Sequence, residues 1–294
     1  MGYLIAVIGG DARYIELIRQ LQKLDNTTIC LIGFDKLDQG YTGLKQMEFS
    51  ELDPAQLDMV ILPVTGTDKD GMIDPVFSDQ SIRLTKEWVQ QLKSTVSIFT
   101  GISNDYLTSI TSEANRRLVK LFDRNDIAVY NSIPTAEGTI MMVIEHTDFT
   151  IHSANVLVVG YGRVGKTIAN KFSALGAEVS VCARRSEDLA RITEMGFKAI
   201  PFDQLSHNTA ECDILINTIP AQVITKESIQ FLPSHGLIID LASKPGGTDF
   251  EYAEKRGIQA ILAKSLPSIV APKTAGRILA DVIKQFITKK EETK

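Results

Sequence analysis

Short apolar runs rich in β-branched residues alternate along the whole chain with stretches of helical periodicity. Runs at 4–8, 28–32, 59–64, 96–100 and 127–130 form a first set, with helical spacing in segments such as 14–24 and 105–122. A second set lies at 156–160, 178–182, 213–218, 236–241 and 259–262, with helical segments at 166–175 and 187–195. Runs this short predict buried strands, and strands alternating with helices predict parallel sheets closed by crossovers. The predicted fold class is α/β, with two doubly wound parallel-sheet domains.

Residues 1–150 are assigned to an N-terminal substrate-binding or catalytic domain, 151–275 to a second α/β domain, and 276–294 to a C-terminal helix and tail. No flexible linker marks the first boundary, because 135–145 reads as a helix leading into the second sheet. Pro272 suits a helix start, and Ile278, Leu279, Val282, Ile283 and Phe286 fall on one stripe of the helix that follows. That helix is expected to pack back on the first domain. The tail 289–294 is charged and expected to fray.

Composition adds exclusions. Hydrophobic residues at 44% and charged residues at 23% are those of a soluble globular protein. A net charge of −5 without a clustered basic face argues against a nucleic-acid partner. No apolar run approaches the roughly 20 residues of a membrane span, and the N-terminus lacks a signal-peptide pattern. The expected compartment is the cytoplasm. Cys30, Cys182 and Cys212 are odd in number, widely spaced and set in apolar segments, which suits buried reduced thiols. No C-x-x-C or H-E-x-x-H spacing occurs and the four histidines are scattered, so no metal site is expected.

The most informative motif is Gly160-Tyr-Gly162-Arg163-Val164-Gly165. Its glycine spacing alone is weak, since chance produces it in roughly one chain in ten of this composition. Its context is specific: a strand ends at Gly160 and a helix begins after Gly165. Gly160 permits the tight turn, Gly162 lets backbone approach a pyrophosphate, and Gly165 lets helix and strand pack closely. Free N–H groups and the positive helix end then meet the phosphates. Residues 151–275 therefore read as a Rossmann dinucleotide-binding domain. After its second strand the chain runs into Ala183-Arg184-Arg185-Ser186, with no carboxylate where an NAD-binding unit places one. Two guanidiniums and a hydroxyl suit a 2′-phosphate, so NADP is favoured over NAD; the alternative is that one or both arginines are merely solvated. Thr218, Ala242 and Ser243, at the ends of later strands, are secondary coenzyme contacts.

Ligands of open α/β sheets sit beyond the carboxyl ends of strands. In the first domain that rule selects 9–13, 33–35, 63–67, 101–104 and 131–138. Arg13, Ser103, Asn104, Glu137, Lys244 and Lys273 are the candidate substrate-facing groups. For Arg13 the alternative is an exposed helix start, and for Glu137 a cap of the helix begun by Thr135. Lys273 opposes the dipole of the helix that Pro272 opens, a local conflict that points to a task elsewhere. Gly9-Gly10 resembles half a dinucleotide fingerprint but lacks the third glycine. His146 reads as a core histidine, and His207 and His235 as surface turns. No unambiguous catalytic base emerges.

Several blocks, in order, resemble one family. They are Ile5-Ala-Val-Ile-Gly-Gly-Asp-Ala-Arg13, Tyr130-Asn-Ser-Ile-Pro-Thr-Ala-Glu-Gly-Thr-Ile140, Ile216-Asn-Thr-Ile-Pro220, residues 190–196, 240–250 and Leu266-Pro-Ser-Ile-Val-Ala-Pro-Lys-Thr-Ala-Gly276. Together they resemble the A-subunit family of dipicolinate synthases over essentially the whole chain. Lys244 stands where the family has Arg, which keeps a cation but loses bidentate carboxylate binding. The resemblance implies NADP-dependent oxidation of dihydrodipicolinate, or of its hydroxylated tetrahydro precursor, to pyridine-2,6-dicarboxylate in sporulating bacteria. It also implies a flavoprotein-like B-subunit as partner and a place in the mother-cell cytoplasm. A dicarboxylate substrate fits Lys244 and Lys273 as clamps and Glu137 as base. Two other readings stay open: an NADP-dependent dehydrogenase of shikimate-dehydrogenase type, and a non-catalytic NADP-binding component serving the flavoprotein. A homo-oligomer is also open.

Overall fold

The computed structural model describes residues 2–37, 44, 46–243 and 245–292, with 289–292 described as backbone only. The chain forms two compact units, Met1–Ala128 with Ala271–Lys294, and Val129–Val270.

The first unit is built on β1 (Tyr3–Ile8), α1 (Ala12–Leu21), β2 (Thr27–Ile32) and β3 (Met59–Ile61). An antiparallel pair follows, β4 (Met72–Ile73) and β5 (Ile82–Arg83), then α2 (Lys86–Gln91), β6 (Ser97–Thr100), α3 (Asp105–Glu113) and β7 (Arg117–Lys120). Its parallel sheet has the order β2-β1-β3-β6-β7. Alternate residues serve opposite faces. Ile5, Val7, Leu31, Ile61 and Phe99 pack with Tyr14, Leu17 and Ile18 of α1. Ala6, Ile8, Ile32, Val60 and Ile98 pack with Val89, Leu107 and Ile110 on the other side. Burial on both faces is why these strands read as unbroken apolar runs.

The terminal helix, Pro272–Glu292, completes the first face, as its stripe predicted. Leu279, Val282, Ile283 and Ile287 join that core, while Ile278 and Phe286 pack at its edge. Gly276 lets the helix approach α1: a Cβ there would stand 2.1 Å from the Arg13 carbonyl oxygen.

Two of the predicted elements are wrong. The segment 105–122 is not one helix, because α3 ends where Asn115 turns left-handed at φ +50°. The Arg116 guanidinium then binds the carbonyls of Gln90, Leu92 and Ala114, and the chain leaves as edge strand β7. The run 127–130, expected as the fifth strand, instead opens a helix, α4 (Asn125–His146). Asp126 supplies negative charge in its first turn, and Ile127 is buried while Val129 and Tyr130 are exposed. Pro134 lies inside α4 and removes one ladder donor. The hydroxyls of Ser132 and Thr135 donate to the Val129 and Asn131 carbonyls at 2.6 and 2.8 Å beside it.

In the second unit follow β8 (Asn155–Val159), α5 (Arg163–Ala174), β9 (Glu178–Ala183), α6 (Ser186–Glu194) and β10 (Lys198–Pro201). Then come β11 (Ile214–Asn217), α7 (Lys226–Ile229), β12 (Leu237–Asp240), α8 (Phe250–Lys255), β13 (Gln259–Leu262) and α9 (Leu266–Val270). The sheet is parallel throughout, ordered β10-β9-β8-β11-β12-β13. That is the doubly wound dinucleotide-binding order, reversing between β8 and β11. The short edge strand β10 was not predicted. Cys182 and Cys212 lie in this core, and burial pushes both thiols up to about 12. Among the described residues no cluster of His, Cys, Asp or Glu could hold a metal ion, and no helix is long and apolar enough to cross a membrane.

Candidate functional site

The turn between β8 and α5 lies at the reversal of the second sheet, and its three glycines have three distinct reasons to be there. Gly160 sits at φ +103°, and a Cβ on it would stand 2.4 Å from Thr218 Oγ1. A Cβ on Gly165 would stand 2.1 Å from the Gly160 carbonyl oxygen. Both are closed positions that only glycine fits. Gly162 differs: it is the N-cap of α5, no side chain caps it, and a Cβ there would meet nothing within 4 Å. Open space thus faces the helix end where N–H groups point outward. The donor set and the open approach fit a pyrophosphate. Arg163 and Val164 form the first turn of α5, exposed and half-buried respectively. In the first unit the corresponding turn is closed. A Cβ on Gly10 would stand 2.3 Å from the Tyr14 ring, which fills that approach. Tyr14 is fully buried, its hydroxyl donates to the Leu62 carbonyl at 2.6 Å, and desolvation raises its pKa.

At the end of β9 the arginine pair divides. Arg184 lays its guanidinium over the Phe202 ring at 4.4 Å, which uses the face and leaves the N–H edge. Arg185 is already engaged: it binds the Asp188 carboxylate through two N–H groups at 2.7 and 3.0 Å and lies 3.4 Å from Glu187. Ser186 opens α6 beside them, exposed. The strand end itself carries no acid, but α6 brings two carboxylates back to Arg185.

Thr218 is turned toward the protein: its hydroxyl donates to the Val159 carbonyl at 2.9 Å. Behind it lies a buried polar knot. The fully buried Asp240 carboxylate accepts from Asn217 Nδ2 (3.0 Å), the N–H groups of Ala242 (2.9 Å) and Gly247 (2.7 Å), and the Thr248 hydroxyl (2.8 Å). Four donors satisfy it without a cation, and they shape the loop 241–248. The Ala242 N–H is therefore committed to Asp240. Ser243 is exposed, and Lys244 lies outside the described residues.

The substrate candidates sit in varied settings. Arg13 is not an exposed helix start. It is 5% exposed and forks onto Asp11, the α1 N-cap, at 2.6 to 3.1 Å. Asn104 caps α3 by accepting from the Leu107 N–H at 2.8 Å, and its amide donates to the Thr67 carbonyl at 2.8 Å. Ser103 faces the Thr108 hydroxyl at 3.0 Å. Lys273 is exposed, and it shares with Arg277 the charge that faces the buried Glu16. Glu137 does not lie on a loop or cap a helix. It is exposed in the middle of α4, one turn from the exposed Ile133. His146 is exposed rather than core and meets the Gln259 amide at 3.1 Å; His235 meets Asp213 at 2.8 Å. Sequence reasoning selected the segments that begin or end at Thr67 and Asp240 but singled out neither residue, and the burial of Asp240 among four donors is what its spacing could not show.

Comparison with known proteins finds two family matches along the chain. Residues 4–122 match the family described as the N-terminal domain of the dipicolinate synthase A-subunit, and 128–294 match the alanine dehydrogenase/PNT C-terminal domain. The dipicolinate synthase A-subunit of Bacillus subtilis (strain 168) is 51% identical, covering 97% of this chain and 96% of that protein. The crystal structure of the dipicolinate synthase A-subunit from Bacillus halodurans superposes with a TM-score of 0.93 at 53% identity, over 97% of this chain and 98% of that one. A transhydrogenase from Sinorhizobium meliloti shares the fold at a TM-score of 0.71 and 14% identity, over 97% of this chain and 94% of that one. On identity, coverage and fold together, the chain belongs to the A-subunit family of dipicolinate synthases.

Proposed function

We propose that this chain is an NADP-dependent dehydrogenase that oxidises dihydrodipicolinate, or its hydroxylated tetrahydro precursor after loss of water, to pyridine-2,6-dicarboxylate. The open approach at Gly162, in a sheet of dinucleotide-binding order, is the observation that carries the coenzyme part; family membership supports the substrate part. Bound NADP⁺ supplies the hydride acceptor. The chain does the rest. First-turn N–H groups of α5 hold the pyrophosphate, and the Arg184 edge, with Ser186, takes the 2′-phosphate. Arg185 reaches a phosphate only by giving up Asp188, so its part is secondary. Lys244 and Lys273 clamp the ring carboxylates, with Arg13, Ser103 and Asn104 shaping the remainder of the site. Glu137 takes the ring proton. Loss of that proton completes an aromatic ring, so a weak carboxylate base suffices.

The relatives are each the A-subunit of their synthase, which supports assembly with a flavoprotein-like B-subunit. We place the protein in the cytoplasm of the sporulating mother cell. The test is NADPH formation by the purified protein by itself, given freshly generated dihydrodipicolinate. Turnover without the B-subunit supports the proposal. Product formed only with the B-subunit, and no NADPH, would reduce the role of this protein to non-catalytic coenzyme binding. Glu137→Gln should bind NADP⁺ normally and lose turnover; full activity would remove Glu137 from the mechanism.

A further inference from the structure

Strands β9 and β10 run parallel, with Val181 beside Ala199, Cys182 beside Ile200 and Ala183 beside Pro201. Continued one residue past both strand ends, that register brings Arg184 level with Phe202. Alternation along a strand puts both on the face of Cys182 and Ile200. Those two residues are buried in the core of that face, and Phe202 packs half-buried against it. The Arg184 guanidinium lies over the Phe202 ring, 4.4 Å from its centroid.

The two arginines at this strand end are held in different ways. Asp188 takes the N–H edge of Arg185. Arg184 is held by its face, and among the described residues no carboxylate forms an ion pair with it. A ring face attracts a guanidinium without using any of its donors. A free arginine gives up rotamer freedom when it closes on a phosphate, and one already laid on a ring gave up part of it beforehand. A half-buried phenylalanine also closes the core beneath it. Leucine fills that role nearly as well, but only an aromatic face holds the guanidinium.

We infer that Phe202 is a positioning residue for the coenzyme: its ring holds the Arg184 fork ready for a 2′-phosphate and so sets a preference for NADP over NAD. The inference rests on the NADP reading proposed above. The pyrophosphate belongs to both coenzymes and meets the first turn of α5. The 2′-phosphate belongs to one of them, so the ring acts on that coenzyme alone, and it acts through Arg184.

Calorimetric titration of the full chain with NADP⁺, and separately with NAD⁺, tests this. Wild type should bind NADP⁺ more tightly. Phe202→Leu should weaken NADP⁺ about three- to fivefold and leave NAD⁺ unchanged. Phe202→Tyr, which keeps the ring, should retain the wild-type preference. In an Arg184→Ala background, Phe202→Leu should change neither affinity, because no guanidinium is left to hold. Equal weakening of both coenzymes by Phe202→Leu would reduce the ring to core packing and overturn the assignment. Tighter NADP⁺ binding by Phe202→Leu would overturn it too, since the ring would then hold Arg184 away from the phosphate. A wild-type preference for NADP⁺ that survives Phe202→Leu overturns this inference alone. A wild type that binds the two coenzymes equally overturns the NADP reading beneath it.

Discussion

Gly162 and Gly165 stand three residues apart, and the same change at each has different consequences. A Cβ at 162 enters open space, whereas one at 165 meets a carbonyl oxygen at 2.1 Å. Gly162→Val should therefore keep Tm within about 2 °C and weaken NADP⁺ at least tenfold. Gly165→Ala should lower Tm by several degrees, because backbone must move. Thermal melts paired with fluorescence titration of NADP⁺ separate the two. Arg184 and Arg185 diverge similarly. Arg184→Ala should weaken NADP⁺ about tenfold and leave NAD⁺ unchanged, while Arg185→Ala should shift NADP⁺ affinity less than threefold, since Asp188 already holds that guanidinium. The glycine turn was legible because its spacing lay between a strand and a helix. The engagement of Arg185 was readable in principle from the i,i+3 spacing to Asp188. The unpartnered buried oxygens of Thr67 and Gln80 were not, because such an atom has no sequence pattern.

At the scale of elements, the pairing of α1 with the terminal helix carries the clearest consequences. Glu16 of α1 is 5% exposed and hydrogen-bonds Gln20 at 2.7 Å, with Arg277 at 3.6 Å. The Gln20 bond first, then the nearby Lys273 and Arg277 charges, hold its pKa below the ordinary value against the opposing effect of burial. A carboxylate with a depressed folded-state pKa contributes stability that is fully present above its unfolded value, about 4.3. That contribution is lost as pH falls through the folded-state value. Glu16→Gln should thus melt about 2–4 °C lower than wild type at pH 7 for a loss of about 1 kcal/mol, and the gap should close on acidification. A gap that persists or widens in acid would show that Glu16 acts by packing instead. The terminal helix was readable because Pro272 and its apolar stripe point to one element. The run 127–130 was misread because four apolar or aromatic residues suit a strand and a helix turn equally. Only the exposure of Val129 and Tyr130 beside buried Ile127 decides it.

Across the whole molecule, the sequence disclosed two parallel-sheet layers but not their strand order, which depends on contacts between runs far apart in the chain. Order is what matters for function, since it locates both crevices. The buried Asp240 is a second long-range feature: it gathers donors from 217, 242, 247 and 248. Asp240→Ala should cost about 3–5 kcal/mol, because several buried donors lose their acceptor together. Asp240→Asn should cost less but still loosen the loop 241–248, read as faster amide exchange there.

The chain leaves the first unit near residue 128 and returns to it only at 271. A ribosome therefore finishes the whole of Val129–Val270 before it delivers the helix that covers one face of the first sheet. At ordinary elongation rates that delay is on the order of ten seconds. During it the nascent first unit shows water the flank of α1 and the Phe99 ring, against which the terminal helix later packs, the latter through Phe286. The unit made later is thus complete in sequence before the unit begun first receives its last helix.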